Sequence, residues 1–163
     1  MTKRILFVCL GNICRSPAAE GVMRKKLEES GIEDVEIDSA GIGAWHTGQL
    51  PDARMRACGA RHGYEFAHRA RQVKETDFCN FDLIVGMDSQ NMKDLKARRP
   101  ADGGVARLEC MADYLSRHEG EKSIPDPYYG DERDFEYALE LIEDAAEGLI
   151  EKIKEQGLKE RCK

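Results

Sequence analysis

Ile5-Leu6-Phe7-Val8-Cys9-Leu10-Gly11-Asn12-Ile13-Cys14-Arg15-Ser16-Pro17 is the stretch that decides how this chain folds. Four consecutive apolar residues read as a strand, and they stop at a loop holding Gly11 and Asn12, residues tolerant of positive φ. A helix is predicted to open at Ser16-Pro17. Serine suits an N-cap, and proline suits the first helical position, where its missing N–H costs nothing. A loop wound over a helix N-terminus turns several backbone N–H groups inward and makes a nest for a dianion. Arg15 adds a planar fork for two oxygens of the same anion. Cys9 sits at the strand end under this positive field, which favours a thiolate, and a thiolate beneath a bound phosphate is a nucleophile aimed at phosphorus. A bare Cys-x5-Arg is weak evidence in a chain with six cysteines. Cys14, Cys58, Cys79 and Cys110 lack the spacing, and the strand before Cys9 and the helix after it supply the weight.

Outward from this stretch, short apolar runs alternate with helical patterns. Residues 35–38, 81–85 and 105–108 read as three further strands, and 17–29, 52–62 and 89–98 as helices. Phe135, Leu139, Ile142, Ala146, Leu149 and Ile153 step by four and three, which makes one apolar stripe on a last helix with Asp131 as its N-cap. The expected fold is α/β: a three-layer, four-stranded parallel sheet flanked by helices, with a phosphate-binding loop after the first strand. It is expected to be one domain over residues 1–163, frayed beyond about residue 157. In open α/β sheets ligands bind beyond the carboxyl ends of the strands, where Cys9 and Ser39 both lie.

Composition narrows the partners. The chain has 163 residues, 41% hydrophobic and 34% charged, as in a soluble globular protein. A net charge of −6 disfavours nucleic acid and anionic membrane as partners. The N-terminal apolar run is too short for a signal peptide and lacks a cleavage site, and nothing approaches a membrane-spanning length. Scattered cysteines without an export signal point to a reducing cytoplasm rather than a disulfide scaffold. Cys58 and His62 stand at i, i+4 spacing, but two ligands do not make a zinc site, so neither metal nor cofactor is expected. Residues 53–74 are basic (Arg54, Arg56, Arg61, Arg69, Arg71 and Lys74 against Glu65), which suits either an acidic substrate or a solvated helix face.

Pro125-Asp126-Pro127 restricts φ on both sides of an acid, which reads as a stiff loop presenting a proton donor or as a plain rigid turn. A free aspartic acid titrates near about 3.9, so an acid catalyst of this kind predicts activity in mildly acidic solution. Tyr128 and Tyr129 wall an aromatic slot with Ile13 and Trp45, or else pack at the entry of the last helix. The Ser16 hydroxyl is a hydrogen-bond donor within reach of a Cys9 thiolate.

At these residues the chain resembles the low-molecular-weight protein tyrosine phosphatases. Residues 8–17 match that family's signature loop at every position, and Asp126-Pro127-Tyr128-Tyr129 resembles its second signature. Asp38-Ser39-Ala40-Gly41 and His68-Arg69-Ala70-Arg71-Gln72 extend the likeness, which runs from about residue 3 to about residue 155. The resemblance implies strand order 2-1-3-4, hydrolysis of phosphotyrosine in protein substrates, and no cofactor. It implies Cys9 as nucleophile, Arg15 and the amides of Leu10, Gly11, Asn12, Ile13, Cys14 and Arg15 as the phosphate cradle, and Asp126 as general acid and base. Asn12, Ser16, Ser39 and His68 are implied as a network supporting the loop. Cys14 is implied as a reversible disulfide partner of Cys9, and Tyr128 and Tyr129 as entrance residues open to phosphorylation. A monomer with at most weak self-association is the expected assembly. Three alternatives stand beside this reading. Thiol-type arsenate reductases share the fold but need two further, closely spaced cysteines, whereas Cys79 stands alone. A phosphoarginine-specific branch carries Thr where this chain has Ile13. A non-catalytic phosphate-binding module would need neither Cys9 nor Asp126.

Overall fold

From Ile5 to Cys9, β1 (Lys3–Cys9) sends alternate side chains into two separate cores, which is why that run is apolar without a break. The computed structural model describes residues 3–161, with side chains as far as residue 157. Ile5, Phe7 and Cys9 pack with residues of α1 (Arg15–Glu29), α2 (Ala53–Arg61) and α5 (Glu132–Arg161). Leu6 and Val8 pack on the other face, with Phe78 of α3 (Asp77–Asn80) and Leu95 of α4 (Ser89–Arg98). Helices therefore cover both faces of a sheet completed by β2 (Val35–Gly41), β3 (Leu83–Gly86) and β4 (Arg107–Cys110). Its order is β2-β1-β3-β4 and every pairing is parallel. The three-layer α/β architecture and the strand order are those expected from the sequence.

Several boundaries differ from the sequence reading, each for a local reason. α1 opens at Arg15, with Cys14 at the cap position and no side chain capping it, so Ser16 is not the N-cap. Its hydroxyl is drawn instead to the Cys9 sulfur. Pro17 falls at the third helical position, still within the first turn where the N–H has no intrahelical partner. β3 begins at Leu83, because Phe81 closes α3 by donating its N–H to the Asp77 carbonyl. β4 begins at Arg107, because the amides of Val105 and Ala106 both bond the Phe78 carbonyl, at 2.9 and 3.0 Å, and leave Val105 exposed. α3 and the 3-10 turn Met111–Tyr114 are too short for a periodicity to register. α5 is helical to Arg161, across most of the stretch expected to fray, and Cys162 and Lys163 lie outside the described residues.

The α5 stripe is buried as its spacing requires: Phe135, Leu139, Ile142, Ala146 and Leu149 are at most 2% exposed. A reciprocal cap starts the helix. Asp131 accepts from the Arg133 amide at 3.0 Å, and Asp134 accepts from the Asp131 amide at 2.8 Å.

Asp144, on the same helix, is fully buried and accepts from Ser116 N, Ser116 Oγ and Arg117 N, with His118 Nδ1 at 2.9 Å. Burial alone would raise its pKa, but the bonds from His118, Arg117 and Ser116 outweigh that and hold it at about 2, against 3.8 ordinarily. A depressed carboxylate contributes stability above its unfolded pKa and loses it as the pH falls through the folded value. The contribution is about 2 kcal/mol at neutral pH, fading between about pH 4 and about pH 2. Asp144→Asn is expected to lower the melting temperature at pH 7, with the deficit shrinking in melts taken towards pH 2. A deficit independent of pH would remove the ionised carboxylate from this role.

Candidate active site

The loop between β1 and α1 is fixed by its carbonyls. The Cys9 carbonyl accepts from Ile42 N and the Leu10 carbonyl from Gly43 N, both at 2.9 Å. The Ile13 carbonyl accepts from Asp52 N at 2.8 Å, and the Cys14 carbonyl from Ala18 N at 3.3 Å. All peptide bonds described are trans. In a planar trans peptide the next residue's N–H points opposite to the carbonyl. With these four carbonyls turned outward, the amides of Leu10, Gly11, Cys14 and Arg15 turn into the bowl, which gives the positive nest that the sequence predicts. Gly41, the last residue of β2, permits the close approach: a Cβ there would lie 3.0 Å from the Gly11 carbonyl carbon and 3.1 Å from Asn12 N.

Asn12 makes the turn at φ 59°, the one positive φ outside glycine among the described residues. Its buried amide holds that conformation with a full set of bonds. Nδ2 donates to Ser16 Oγ at 2.8 Å and to Ser39 Oγ at 3.0 Å, while Oδ1 accepts from Arg71 N at 3.0 Å and faces His68 Nε2 at 3.2 Å. Ser39 donates onward to Glu20 Oε1 at 3.0 Å, and His68 Nδ1 stands 3.1 Å from the same oxygen. Ser16 Oγ accepts from Asn12, so its own hydrogen points at Cys9 Sγ, 3.0 Å away, or at the Ala40 carbonyl at 3.4 Å, and the sulfur is the nearer partner. The four residues of the expected support network are thus joined behind the loop, with Glu20 and Arg71 as members that the sequence did not announce.

Beyond the carboxyl ends of β1 and β3 the loop floors a cavity of about 330 Å³. Cys9, Leu10, Gly11, Ile13, Cys14 and Arg15 line its base, and Trp45, Asp126, Tyr128 and Tyr129 its walls, together with His46. Arg15, at 2% exposure, is pinned from behind: Nη1 donates to Asp88 Oδ2 and to the Ile124 carbonyl, both at 2.8 Å, and Nη2 lies 3.6 Å from Asp126 Oδ2. Burial opposes its charge, but Cys9, Asp88 and Asp126 more than compensate, so Arg15 is held firmly protonated. Burial pushes the Cys14 thiol strongly up, with Asp52 and Cys9 adding to the effect.

Asp126 is a partly open carboxyl at the mouth, oriented by the Tyr128 amide on Oδ1 at 3.1 Å. The aromatic walls differ in freedom. Tyr128 packs against the core, under the Arg54 guanidinium at 5.5 Å, and Arg54 also donates to the Tyr128 carbonyl at 2.9 Å. Tyr129 is 94% exposed and meets Tyr128 edge-on at 4.9 Å. Trp45, 69% exposed, lies so closely over Gly43 that a Cβ there would meet its ring.

Three of the cations in the basic segment 53–74 are paired with carboxylates, and two more bond backbone carbonyls. Arg54 pairs with Asp52, Arg61 with Glu132 and Glu136, and Arg71 with Asp38 and Asp77, while Arg56 and Arg69 bond the carbonyls of Pro51 and Gly48. Asp88 is the functional neighbour most clearly missed from the sequence. It follows β3 at the ligand-binding edge and caps α4 through Asn91 N, a combination the strand-end rule flags.

Comparison with known proteins agrees with this geometry. A family model described as "Low molecular weight phosphotyrosine protein phosphatase" matches residues 4–159. The "Low molecular weight protein-tyrosine-phosphatase" of Streptomyces coelicolor is 42% identical over 158 residues, covering 96% of each chain. A crystal structure of a protein tyrosine phosphatase from Entamoeba histolytica, with Hepes in the active site, is similar at a TM-score of 0.90 and 41% identity, covering 96% of this chain and 99% of that one. A Drosophila arginine phosphatase is similar at a TM-score of 0.87 and 30% identity, covering 92% of this chain and 97% of that one.

Proposed function

This chain belongs to the low molecular weight phosphotyrosine protein phosphatases, and from that premise we propose that it hydrolyses phosphotyrosine in proteins through a phosphocysteine formed on Cys9. The observation that carries the reading is Cys9 Sγ, 3.0 Å from Ser16 Oγ, on the floor of a cavity that also holds the Arg15 guanidinium and the Asp126 carboxyl.

Cys9 sulfur attacks phosphorus in line, and the bond from phosphorus to the phenolic oxygen breaks with its electron pair leaving on that oxygen. Asp126 gives that oxygen its proton. The inward amides of Leu10, Gly11, Cys14 and Arg15 and the Arg15 fork hold the three equatorial oxygens as charge shifts among them. Water then attacks the phosphocysteine and Asp126 takes its proton, while the phosphorus–sulfur bond breaks with its electron pair returning to Cys9, which frees inorganic phosphate. Ser16 donates to the departing sulfur, while Asn12, Ser39 and His68 keep Ser16 and the loop in place. Asp88 and the Ile124 carbonyl fix one face of Arg15, so the guanidinium need not reorganise when the anion arrives.

Ile13, Trp45, Tyr128 and Tyr129 form the slot for the phenyl ring. The likeness to an arginine phosphatase supports a second reading, cleavage of phosphoarginine. Ile13 weighs against it, because a buried β-branched apolar side chain at the cavity base suits an aromatic ring and leaves a guanidinium without a polar partner. A phosphotyrosyl peptide is expected to be turned over at least about tenfold more efficiently than phosphoarginine in kcat/KM. The reverse preference would move the assignment to phosphoarginine.

Cys14 shares the cavity base with Cys9, which supports a reversible switch. Peroxide converts Cys9 to a sulfenic acid, and Cys14 displaces water from it to close a disulfide that thiol reopens. After peroxide and then thiol, Cys14→Ser is expected to recover clearly less activity than wild type; equal recovery would exclude the switch. The need for a reduced Cys9 supports a cytoplasmic setting. No helix among the described residues is long and apolar enough to cross a membrane.

A further inference from the structure

Cys58 lies on α2 and His62 is the residue that caps its C-terminal end, and the sequence offers no third ligand near them. The fold supplies one from 74 positions away. Glu136 of α5 reaches back so that the Cys58 sulfur, a His62 ring nitrogen and a Glu136 oxygen lie within 4.8 Å of one another. Cys58 is fully buried, His62 is exposed and Glu136 is half-buried, so the cluster has a dry thiol at its base and a mouth open to water. We propose that Cys58, His62 and Glu136 form a zinc site, completed by one water, that ties α2 to α5.

Thiolate, imidazole and carboxylate are the donors zinc takes, and three protein ligands with one open position fit its tetrahedral preference. Zinc holds such donors roughly 3.3–3.6 Å apart, given bond lengths of about 2.0–2.3 Å. His62 Nε2 and Glu136 Oε2 now stand 2.6 Å apart in direct contact. The ion enters by parting that pair by about 1 Å and drawing in the thiol, with α2 and α5 still in place.

Glu136 is oriented for the task. Arg61 donates from Nε and Nη2 to Oε1, at 3.1 and 2.8 Å, which leaves Oε2 directed at the cluster. An arginine on the far oxygen of a ligating carboxylate is a typical outer-sphere support, although its charge opposes the ion's and moderates affinity. Burial, and then the Glu136 charge, push the Cys58 thiol up to about 11. Zinc takes the place of that proton, which leaves to solvent, and a dication beside both groups reverses the repulsion that kept it there. The comparable cluster of Glu20, Asp38 and His68 is already occupied in holding Asn12, Ser39 and Arg71, and belongs to the support of the phosphate loop.

The test is metal titration of the full chain in a Cys9→Ser background, so that the reactive thiol takes no metal. Cobalt(II) is expected to give a near-ultraviolet thiolate-to-cobalt band at one equivalent, and zinc to compete it away. The band should vanish with Cys58→Ser, and zinc affinity against a chromophoric chelator should fall at least about tenfold with Glu136→Gln and with His62→Ala. His62 is at the surface, so His62→Ala stays folded and decides the matter even if removal of the buried thiol does not. Absence of a thiolate band at one equivalent, or affinity unchanged by His62→Ala, overturns the proposal.

Discussion

Cys9→Ser is expected to abolish hydrolysis of p-nitrophenyl phosphate in EDTA and fresh thiol, by about 10⁴-fold or more. A serine hydroxyl is a far weaker acid than a thiol, so at working pH it presents a neutral nucleophile to a dianion. The rest of the site stays in place. The four outward carbonyls, the Asn12 amide bonds and the anchoring of Arg15 by Asp88 involve no atom of the Cys9 side chain. Inorganic phosphate should therefore inhibit wild type, and bind the variant, with similar affinity. Loss of turnover with phosphate binding retained isolates the chemical step. Turnover that survives in the variant would mean another nucleophile, and loss of binding as well would mean that the substitution collapsed the loop.

Asp126→Asn is expected to lower kcat on a phosphotyrosyl peptide by about 10²–10³-fold. The fall should be much smaller for p-nitrophenyl phosphate, whose leaving oxygen departs with little help from a proton. That contrast separates an acid catalyst from a structural residue, since damage to the loop would depress both substrates alike. The geometry favours the contrast: the Tyr128 amide on Oδ1 orients the side chain, and asparagine keeps an oxygen to accept it. Phosphate affinity should hold or rise slightly, because a negative charge 3.6 Å from Arg15 Nη2 is removed. Equal losses on the two substrates would take Asp126 out of proton transfer.

What the sequence made legible was whatever local physics fixes. The uninterrupted apolar run Ile5–Cys9 of β1, the 3.6-residue period of α5 and the spacing of Cys9 to Arg15 each follow from neighbours in the chain, and the fold class follows from them, while the family was legible in the resemblance of residues 8–17 and 126–129 to its signatures. Ser16 shows the limit. A hydroxyl at a helix start suits a cap as well as it suits a thiol, and only the position of Cys9 across the loop decides between them. Val105 has the side chain of a strand residue, but two backbone bonds to Phe78 hold its segment outside the sheet. Asp88, Glu20, Arg71 and Glu136 went unread because their partners lie 73, 19, 59 and 74 positions away. Periodicity and local propensity carry no information about such pairs.

The support of Asn12 also bears on how this molecule acquires its activity during folding. The residues that hold its amide come from α1, from β2 and from the segment at 68–71, so no fragment confined to the first helix and strand satisfies it. Until those three pieces dock together, the residue has no reason to stay in its left-handed conformation, and the bowl has no defined shape. Contacts of long sequence separation form late, because chain closure precedes their reward. Competence to bind phosphate is therefore a property of the completed topology, and a partly assembled chain with its sheet half built is catalytically silent rather than promiscuous.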